Sequence, residues 1–507
     1  MVKKGTLRLR RYLGPRLGPV SRYISSTAQI VARNPRHGLN LLIKSRSESR
    51  IQSQPDVYPF AVYLAERFGC THVIVIGRPT AKELLQIHPK YEFIGIVPSA
   101  DLEFYRKQYG FGTWLDESTM LAGTELVPEG VLQRAVIVCQ DLDHFVSDSL
   151  LRNLKLWLDH APICILTASD RDLTPAMISG HAGWNLKELS DLLCANGFKL
   201  EFTGWTASDN VNYEKKTLMA VMTNHGKKTG RSASPDFRVV AFMAAYNEED
   251  IIVQSIQKWT DQGIRVHVLE NWSTDATYNL VKDLEGRLPV TVERFPKDGP
   301  SNYFDWEAML KRMESLSREI DADWFVRRGA DEVLVSPWPG LSYRDALCLV
   351  DQAGFNCVDH TIVEFHPVDN GFETGMDHES YFRHFDFKNL SHPNQRKAWK
   401  NCGQSISTTG SAGHDVLFEG RRVYPFNFLL KHYSFRSQRH GEKKVFRERK
   451  ARWNPEERAK GWHIHYDAMQ EGHRFVQSPT EKAVFEEGSF NQTYLVERLS
   501  GIGTDRP

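Results

Sequence analysis

Residues 239–250 read VVAFMAAYNEED, eight uncharged residues that run directly into a polar and acidic end. An apolar run of this length is typical of a strand buried inside a parallel sheet. Polar residues that come immediately after such a strand lie at its carboxyl end, where α/β sheets bind their ligands. The stretch therefore predicts an α/β domain that begins near Arg238.

The residues that follow alternate between helical and strand-like patterns, as expected of repeated βαβ units. The predicted elements are a helix over 248–263, a strand over 265–271, a helix over 273–286, a strand over 290–295, a helix over 305–320 and one strand over 323–335. The chain beyond is rich in aromatic residues and His, and a highly charged stretch over 441–462 is predicted to be helical.

Polar residues mark three strand ends in this domain. The first strand ends in Tyr246-Asn247-Glu248, the second in Glu270-Asn271 with Asp275 soon after, and the third in Gly329-Ala330-Asp331-Glu332. In this order the three ends resemble the N-terminal half of a family-2 glycosyltransferase. The resemblance implies a GT-A fold and a nucleotide-sugar donor bound at the carboxyl ends of the strands.

The resemblance also implies roles for individual residues. Glu270 would hold the N–H of a uracil-type base, and Asp331 would bind a divalent metal, Mn²⁺ or Mg²⁺, on the donor diphosphate. His432 would be a further metal ligand. The family's metal motif is Asp-x-Asp, and its first position here is Gly329. The donor-binding set is Tyr246, Asn247, Glu248, Glu270, Asn271, Asp275, Ala330 and Arg436.

An inverting transfer needs a base for the acceptor hydroxyl. Residues 410–437 resemble the later part of the same family, which makes Asp415 the catalytic base beside the catalytic Asp331. Glu364 and Asp377 remain alternatives for the base. Basic residues of this region are expected to meet phosphate oxygens, namely Lys431, Arg436 and Arg439.

Short motifs link residues 238–470 to a bacterial group of these enzymes. They are W-F-x-x-x-x-A-D-E at 324–332, K-A-W-K at 397–400, H-Y-x-x-R-S at 432–437 and G-W-H at 461–463. That group is associated with surface polysaccharide and lipopolysaccharide assembly. The resemblance therefore implies a glycan or lipid-linked glycan as the acceptor.

Residues 55–224 form a second βαβ succession. Its apolar runs at 72–77, 93–97, 135–140 and 163–168 predict buried parallel strands, and the whole resembles a class I S-adenosylmethionine-dependent methyltransferase. The expected Gly-x-Gly turn is replaced by Gly77-Arg78-Pro79, and the acid expected at the second strand end is Val97, with Asp101 four residues on. We expect a degenerate domain that does not bind S-adenosylmethionine. A bifunctional glycosyltransferase and methyltransferase, or a scaffold without activity, are the alternatives.

The predicted fold class is α/β with two Rossmann-like domains. The predicted segments are a basic arm (1–54), the methyltransferase-like domain (55–224), a linker (225–237), the GT-A domain (238–475) and a C-terminal tail (476–507). The chain's net charge of +1 argues against a nucleic-acid partner.

The arm's basic residues suit peripheral contact with an anionic membrane. A solvated, partly disordered tail and a mitochondrial transit peptide are the alternative interpretations. The seven scattered cysteines contain no C-x-x-C pair and favour a cytoplasmic setting.

Overall fold

The computed structural model describes residues 57–121, 126–140, 142, 147–171, 183–206, 217–224, 233–338, 340–387 and 395–486. The predicted basic arm lies outside these residues, as does the tail beyond residue 486. The chain divides into two compact units, one within 1–226 and the other within 227–499. Over the described residues, no helix is long and apolar enough to cross a membrane.

A seven-stranded sheet forms the centre of the first unit. Its strands are β1 (His72–Ile76), β2 (Glu92–Val97), β3 (Thr113–Asp116), β4 (Ala135–Cys139), β5 (Ile163–Ser169), β6 (Leu200–Thr206) and β7 (Thr217–Thr223). They are ordered β3-β2-β1-β4-β5-β7-β6, and β7 runs in the direction opposite to that of the other six. The strand order reverses between β1 and β4, which is the topological switch point of a doubly wound sheet. The four predicted strands are confirmed.

Helices connect these strands. They are α1 (Val57–Phe68), α2 (Ala81–Ile87), α3 (Leu102–Gln108), α4 (Glu117–Leu121), α5 (Glu129–Leu132), α6 (Asp148–His160) and α7 (Leu186–Ala195). Capping boxes begin α2 at Thr80 and α7 at Asn185, which satisfies backbone N–H groups that the first helical turn leaves unpaired. The apolar stripe of α6, including Leu150, Leu154 and Leu158, packs into the core with β1, β4 and β5.

The Trp114 ring packs over Gly95 in β2, where a side chain would otherwise stand. A Cβ atom at residue 95 would lie 2.3 Å from the ring of Trp114. We therefore expect Gly95→Ala to lower the free energy of unfolding by about 1–3 kcal/mol, the usual cost of overpacking. Differential scanning calorimetry of the full chain measures it. Gly130→Ala in α5 is the matched control, because nothing lies within 4 Å of its added Cβ. Equal losses in the two variants would contradict the packing argument.

The described residues of the second unit form two sheets. Its strands are β8 (Val239–Ala245), β9 (Arg265–Glu270), β10 (Val290–Arg294), β11 (Trp324–Gly329), β12 (Glu332–Val335), β13 (Cys357–Val358), β14 (His360–His366), β15 (His384–Phe387), β16 (Ala398–Lys400), β17 (Phe428–His432) and β18 (Ala483–Val484). The first sheet is ordered β10-β9-β8-β11-β16-β13 and the second β12-β17-β14-β15-β18. Strands β10, β9, β8 and β11 are parallel, so this unit is also an α/β structure. The predicted α/β class is confirmed in both units.

The helices of the second unit are α8 (Ile252–Thr260), α9 (Thr277–Leu284), α10 (Trp306–Glu319), α11 (Tyr343–Gln352), α12 (His378–Tyr381), α13 (Gln438–Glu442) and α14 (Pro455–Ala459). A π-helical turn (Lys443–Arg449) and a 3₁₀ turn (Lys450–Arg452) continue α13. Isolated 3₁₀ turns occur at Thr409–Ser411, Ile464–Tyr466 and Pro479–Glu481. The charged stretch predicted as helix over 441–462 is thus helical but interrupted before α14.

The prediction of a single strand over 323–335 is wrong. The segment forms β11 and β12, which belong to different sheets, with Ala330 and Asp331 in the turn between them. The turn is held by the backbone N–H of Gly329, which donates to the Glu332 carboxylate at 2.8 Å. The polar residues that end one strand therefore redirect the chain into a second sheet.

The second unit extends beyond both ends of the predicted GT-A domain. The described part of the predicted linker, 233–237, is held by Arg344, whose Nε donates to the Phe237 carbonyl at 3.0 Å, and by Asp345, which accepts from the Ala233 N–H at 2.6 Å. At the other end, β18 in the predicted tail pairs with β15. These segments are part of the second unit.

Candidate functional site

The loops after β8 and β9 form one hydrogen-bonded structure. The Asn247 side chain donates to the Thr274 hydroxyl at 3.2 Å and accepts from the Thr274 N–H at 2.8 Å. The backbone N–H of Glu248 donates to the Thr277 hydroxyl at 2.8 Å. The structure thus brings together the first two predicted strand ends.

Both loops contain a left-handed residue that is not glycine. Asn247 has φ +56° and Trp272 has φ +55°. Asn tolerates this conformation, but a bulky residue such as Trp adopts it rarely. Backbone strain of this kind persists where the surroundings enforce it and is concentrated at functional sites. The two strained positions fall in the two loops predicted to meet the donor.

Glu270 shapes the turn after β9. It is fully buried, and its carboxylate accepts from the backbone N–H groups of Trp272 at 3.2 Å and Ser273 at 2.5 Å. Arg294 Nε lies 3.3 Å from the same carboxylate. The Glu270 carboxylate, which the resemblance assigns to the nucleotide base, is therefore already engaged by groups of the protein itself.

Asp275 has a local role at the start of α9, where its carboxylate accepts from the Thr277 N–H at 2.9 Å. Asn271 donates to the Phe295 carbonyl at 2.9 Å, and its side-chain oxygen accepts from Arg452 at 2.9 Å. The Arg452 guanidinium also lies 4.1 Å from the centre of the Tyr246 ring. Arg452 therefore links two of the predicted donor-binding residues.

Asp331 is the centre of a buried ionic cluster. Its Oδ2 lies 2.7 Å from Lys444 Nζ and 3.7 Å from His432 Nε2. Burial acts to raise the pKa of Asp331, but Lys444 and His432 hold it well below its usual range. Burial likewise acts to lower the pKa of Lys444, and Asp331 and Glu248 raise it above its ordinary value. Both side chains are therefore charged at neutral pH.

Arg436 binds carboxylates of the protein rather than standing open to a ligand. Its Nη2 donates to Glu248 at 2.6 Å, and its Nε donates to Asp250 at 2.6 Å. The side chain is 1% exposed, and its Nη1 is buried without a hydrogen-bond partner. Lys444 Nζ lies 3.6 Å from the same Glu248, so Arg436 and Lys444 belong to one cluster. The neighbouring Ala330 is buried, and its carbonyl accepts from the Ser255 hydroxyl at 2.8 Å.

Of the three candidate bases, Glu364 is the one that the structure brings to Asp331. Its carboxylate lies 2.8 Å from His432 Nδ1, and the other nitrogen of that ring faces Asp331. The structure does not bring Asp415 to this cluster through any such contact. Instead, Arg396 and Arg421 donate to its two oxygens. Asp377 is bound by Lys258 and Ser380 at 2.6 Å each.

One helical stripe, formed by residues 444, 448 and 452, was not predicted from the sequence. Lys444, Glu448 and Arg452 are spaced four residues apart across the π-helical and 3₁₀ turns. Lys444 contacts Asp331 after β11, Glu448 accepts from Asn247 after β8 at 2.6 Å, and Arg452 contacts Asn271 after β9. The spacing within the charged stretch was the available signal, because residues four apart share one helix face.

The predicted metal site does not fit the residues present. Asp331 and His432 do approach each other, but the cation that faces the Asp331 carboxylate is Lys444. Across the part of the chain that the structure describes, no three side chains of His, Cys, Asp or Glu converge in a way that holds a metal ion. The acid that the family's motif would add is absent at Gly329.

The first unit shows its own polar contacts at the switch point. Gly77 has φ +131°, and an added Cβ would lie 3.0 Å from Gln140 at the end of β4. Arg78 donates to Asp101 at 2.7 Å, which pairs the acid nearest to the expected ribose position with the middle residue of the Gly77-Arg78-Pro79 turn. The sequence places two further acids, Asp141 and Asp143, where they could act near a cofactor, and both lie outside the described residues.

Glu332 and Lys397 form a buried ion pair near Asp331. Burial acts to raise the pKa of Glu332, but Lys397 first, and then His432 and Arg327, lower it from 4.5 to about 2. A depressed native pKa adds stability above the unfolded value and loses it as the pH falls through the native value. We expect Glu332→Gln to lower the unfolding free energy at neutral pH by on the order of 3 kcal/mol.

Urea unfolding measures this difference, which should shrink as the pH falls from 4.5 to about 2. Glu319→Gln is the control, because its carboxylate is 49% exposed and exposed pairs contribute little. A difference that stays constant over this pH range would contradict the ion-pair explanation.

No family model matches the sequence, and no curated protein matches it. Among solved structures, S. aureus TarS in complex with UDP-GlcNAc matches with 16% identity and a TM-score of 0.19, over 27% of this chain and 36% of that one. The N-methyltransferase NodS from Bradyrhizobium japonicum, in complex with S-adenosyl-l-homocysteine, matches with 14% identity and a TM-score of 0.25, over 33% of this chain and 85% of that one.

A SAM-dependent methyltransferase from Aquifex aeolicus matches with 14% identity and a TM-score of 0.26, over 35% of this chain and 95% of that one. The chain spans about a third of the length of the TarS structure. The solved structures that this chain matches include TarS and several methyltransferases.

Proposed function

We propose that the second unit is an inverting glycosyltransferase that uses a nucleotide-sugar donor. The observation that carries the proposal is the edge where β8, β9 and β11 end, because one helical stripe contacts a residue after each of these three strands. Carboxyl ends of parallel strands next to a switch point are the usual ligand site of such sheets. The sequence motifs at these strand ends are the reason for proposing a nucleotide-sugar as the donor.

In this proposal the base is supplied by Glu364 and His432 rather than by Asp415. The acceptor oxygen forms a bond to the anomeric carbon, the bond from that carbon to the diphosphate oxygen breaks, and its electron pair leaves with the diphosphate. The acceptor proton passes to the His432–Glu364 pair, which is hydrogen-bonded at 2.8 Å beside Asp331. The Asp415 carboxylate is instead held between two guanidinium groups, which engage both of its oxygens.

The acceptor in the proposal is a glycan or lipid-linked glycan of surface polysaccharide or lipopolysaccharide assembly. This part rests on the sequence motifs at 324–332, 397–400, 432–437 and 461–463. The motifs at 324–332 and 432–437 contain Asp331 and His432, which lie next to each other in the cluster. The structural contact between these two motifs supports their use in one site.

A donor screen tests the proposed activity. We expect one of the UDP-, GDP-, CMP- or dTDP-sugars to raise the Tm of the full chain, since a ligand at about 100 times its Kd stabilises the native state by about 2.7 kcal/mol. Sugar transfer or donor hydrolysis should then be lost in Asp331→Ala. Asp321→Ala is the control, because its carboxylate is 79% exposed. Wild-type turnover in Asp331→Ala would remove the site assignment.

We also propose that the first unit does not bind S-adenosylmethionine. The pairing of Arg78 with Asp101 and the close packing of Gly77 on Gln140 support this, because the turn and the acid are engaged with the protein itself. Calorimetric titration of the full chain is expected to give no binding heat at about millimolar S-adenosylmethionine. A saturable heat would favour the bifunctional enzyme instead. A nucleotide-sugar titration of the same sample serves as the positive control.

A further inference from the structure

Asp331 stands alone where the related motif carries two acids. Gly329 does more than lack a carboxylate, because a Cβ atom at that position would lie 2.7 Å from Asp331 Oδ1. The glycine therefore leaves the space in which the Asp331 carboxylate lies. An acid at residue 329 would need Asp331 to move.

Lys444 fills the cation position next to this carboxylate. Its Nζ lies 2.7 Å from Asp331 Oδ2 and 3.6 Å from Glu248 Oε1, and its side chain is 5% exposed. Mg²⁺ needs a near-ideal octahedral set of oxygens at about 2.0–2.1 Å. A metal ion on Asp331 would have to share the carboxylate with a buried ammonium group that carries the same sign of charge. The cation at this site is therefore the Lys444 side chain, which is part of the polypeptide, and not a bound metal ion.

The surrounding contacts place this ammonium group at the strand ends where the nucleotide-sugar donor is proposed to bind. The helical stripe crosses the strand ends in their order in the sheet, with Lys444 at β11, Glu448 at β8 and Arg452 at β9. Arg452 lies beside Tyr246, while Lys444 lies beside the buried Arg436, whose Nη1 has no hydrogen-bond partner. The Lys444 ammonium group carries three N–H donors and gives one of them to Asp331, so it suits the oxygens of a diphosphate.

We propose that Lys444 replaces the divalent metal ion, so that the donor diphosphate is bound and released without one. The inference rests on the proposed function. When the anomeric C–O bond breaks, its electron pair goes to the diphosphate oxygen, and the developing negative charge is met by the Lys444 ammonium group, which remains protonated. Asp331 and Glu248 hold the ammonium group in place, and Asp331 is thus a positioning residue.

Calorimetric titration of the full chain with UDP, GDP and dTDP, in excess EDTA and then in Mn²⁺ or Mg²⁺, tests the inference without any variant. We expect one nucleoside diphosphate to bind in EDTA with a Kd within about threefold of its value with metal. Binding that appears only with metal, or tightens about tenfold or more with it, overturns the inference and leaves the proposed glycosyltransferase standing. Failure of every nucleoside diphosphate and nucleotide sugar to bind under both conditions overturns both.

Variants of the lysine supply the second test. Lys444→Met is expected to weaken nucleoside diphosphate binding in EDTA by about tenfold or more, as loss of a charge-assisted hydrogen bond implies. Lys311→Met is the control, since Lys311 is 63% exposed on α10 and pairs with Glu307 on the same helix.

Lys444→Met removes the ammonium group that pairs with the buried Asp331, so the folding of this variant is checked by near-ultraviolet circular dichroism. The double variant Lys444→Met/Asp331→Asn removes both charges and keeps the test available if the single variant does not fold. Binding of the double variant in EDTA as tight as that of the wild type would overturn the inference.

Discussion

The second unit depends on the pairing of charges that have been taken out of water. Arg436 and Lys444 are both buried, and each is held by carboxylates from distant parts of the chain, Glu248 after β8 and Asp331 after β11. A buried charge without a partner is strongly destabilising, whereas a complete pair contributes little net stability. The ionic cluster therefore adds little to the free energy of unfolding. Its main effect is to fix how the strand ends and the helical stripe meet.

The sequence predicted most of the first sheet of the second unit, and physical chemistry explains why. Buried parallel strands are continuous apolar runs, as at 239–246, and their polar ends must reach the same edge of the sheet. Asn247, Asn271 and Asp331 could be assigned to that edge without knowledge of any side-chain contact. The helices that connect the strands followed from apolar spacing alone.

The remaining features depend on contacts that local pattern does not encode. The segment 323–335 looks like one strand because it contains the apolar runs WFV and VLV. Its division depends on distant partners, since β11 and β12 pair in different sheets. Lys444 lies 113 positions from Asp331 in the chain, so no motif spacing connects them. Asp415 has the residue type of a base, but its neighbours Arg396 and Arg421 give it a different role.

The close approach of Gly329 to Asp331 has an evolutionary consequence. A side chain at residue 329 displaces the carboxylate that holds Lys444, and a lysine at residue 444 competes with a metal held by a second acid. Neither position can change to the metal-binding state without a penalty unless the other changes too. The two positions are coupled because both approach the same carboxylate, that of Asp331. Related chains with aspartate at the position of Gly329 should therefore lack the lysine, and the two states should form separate lineages.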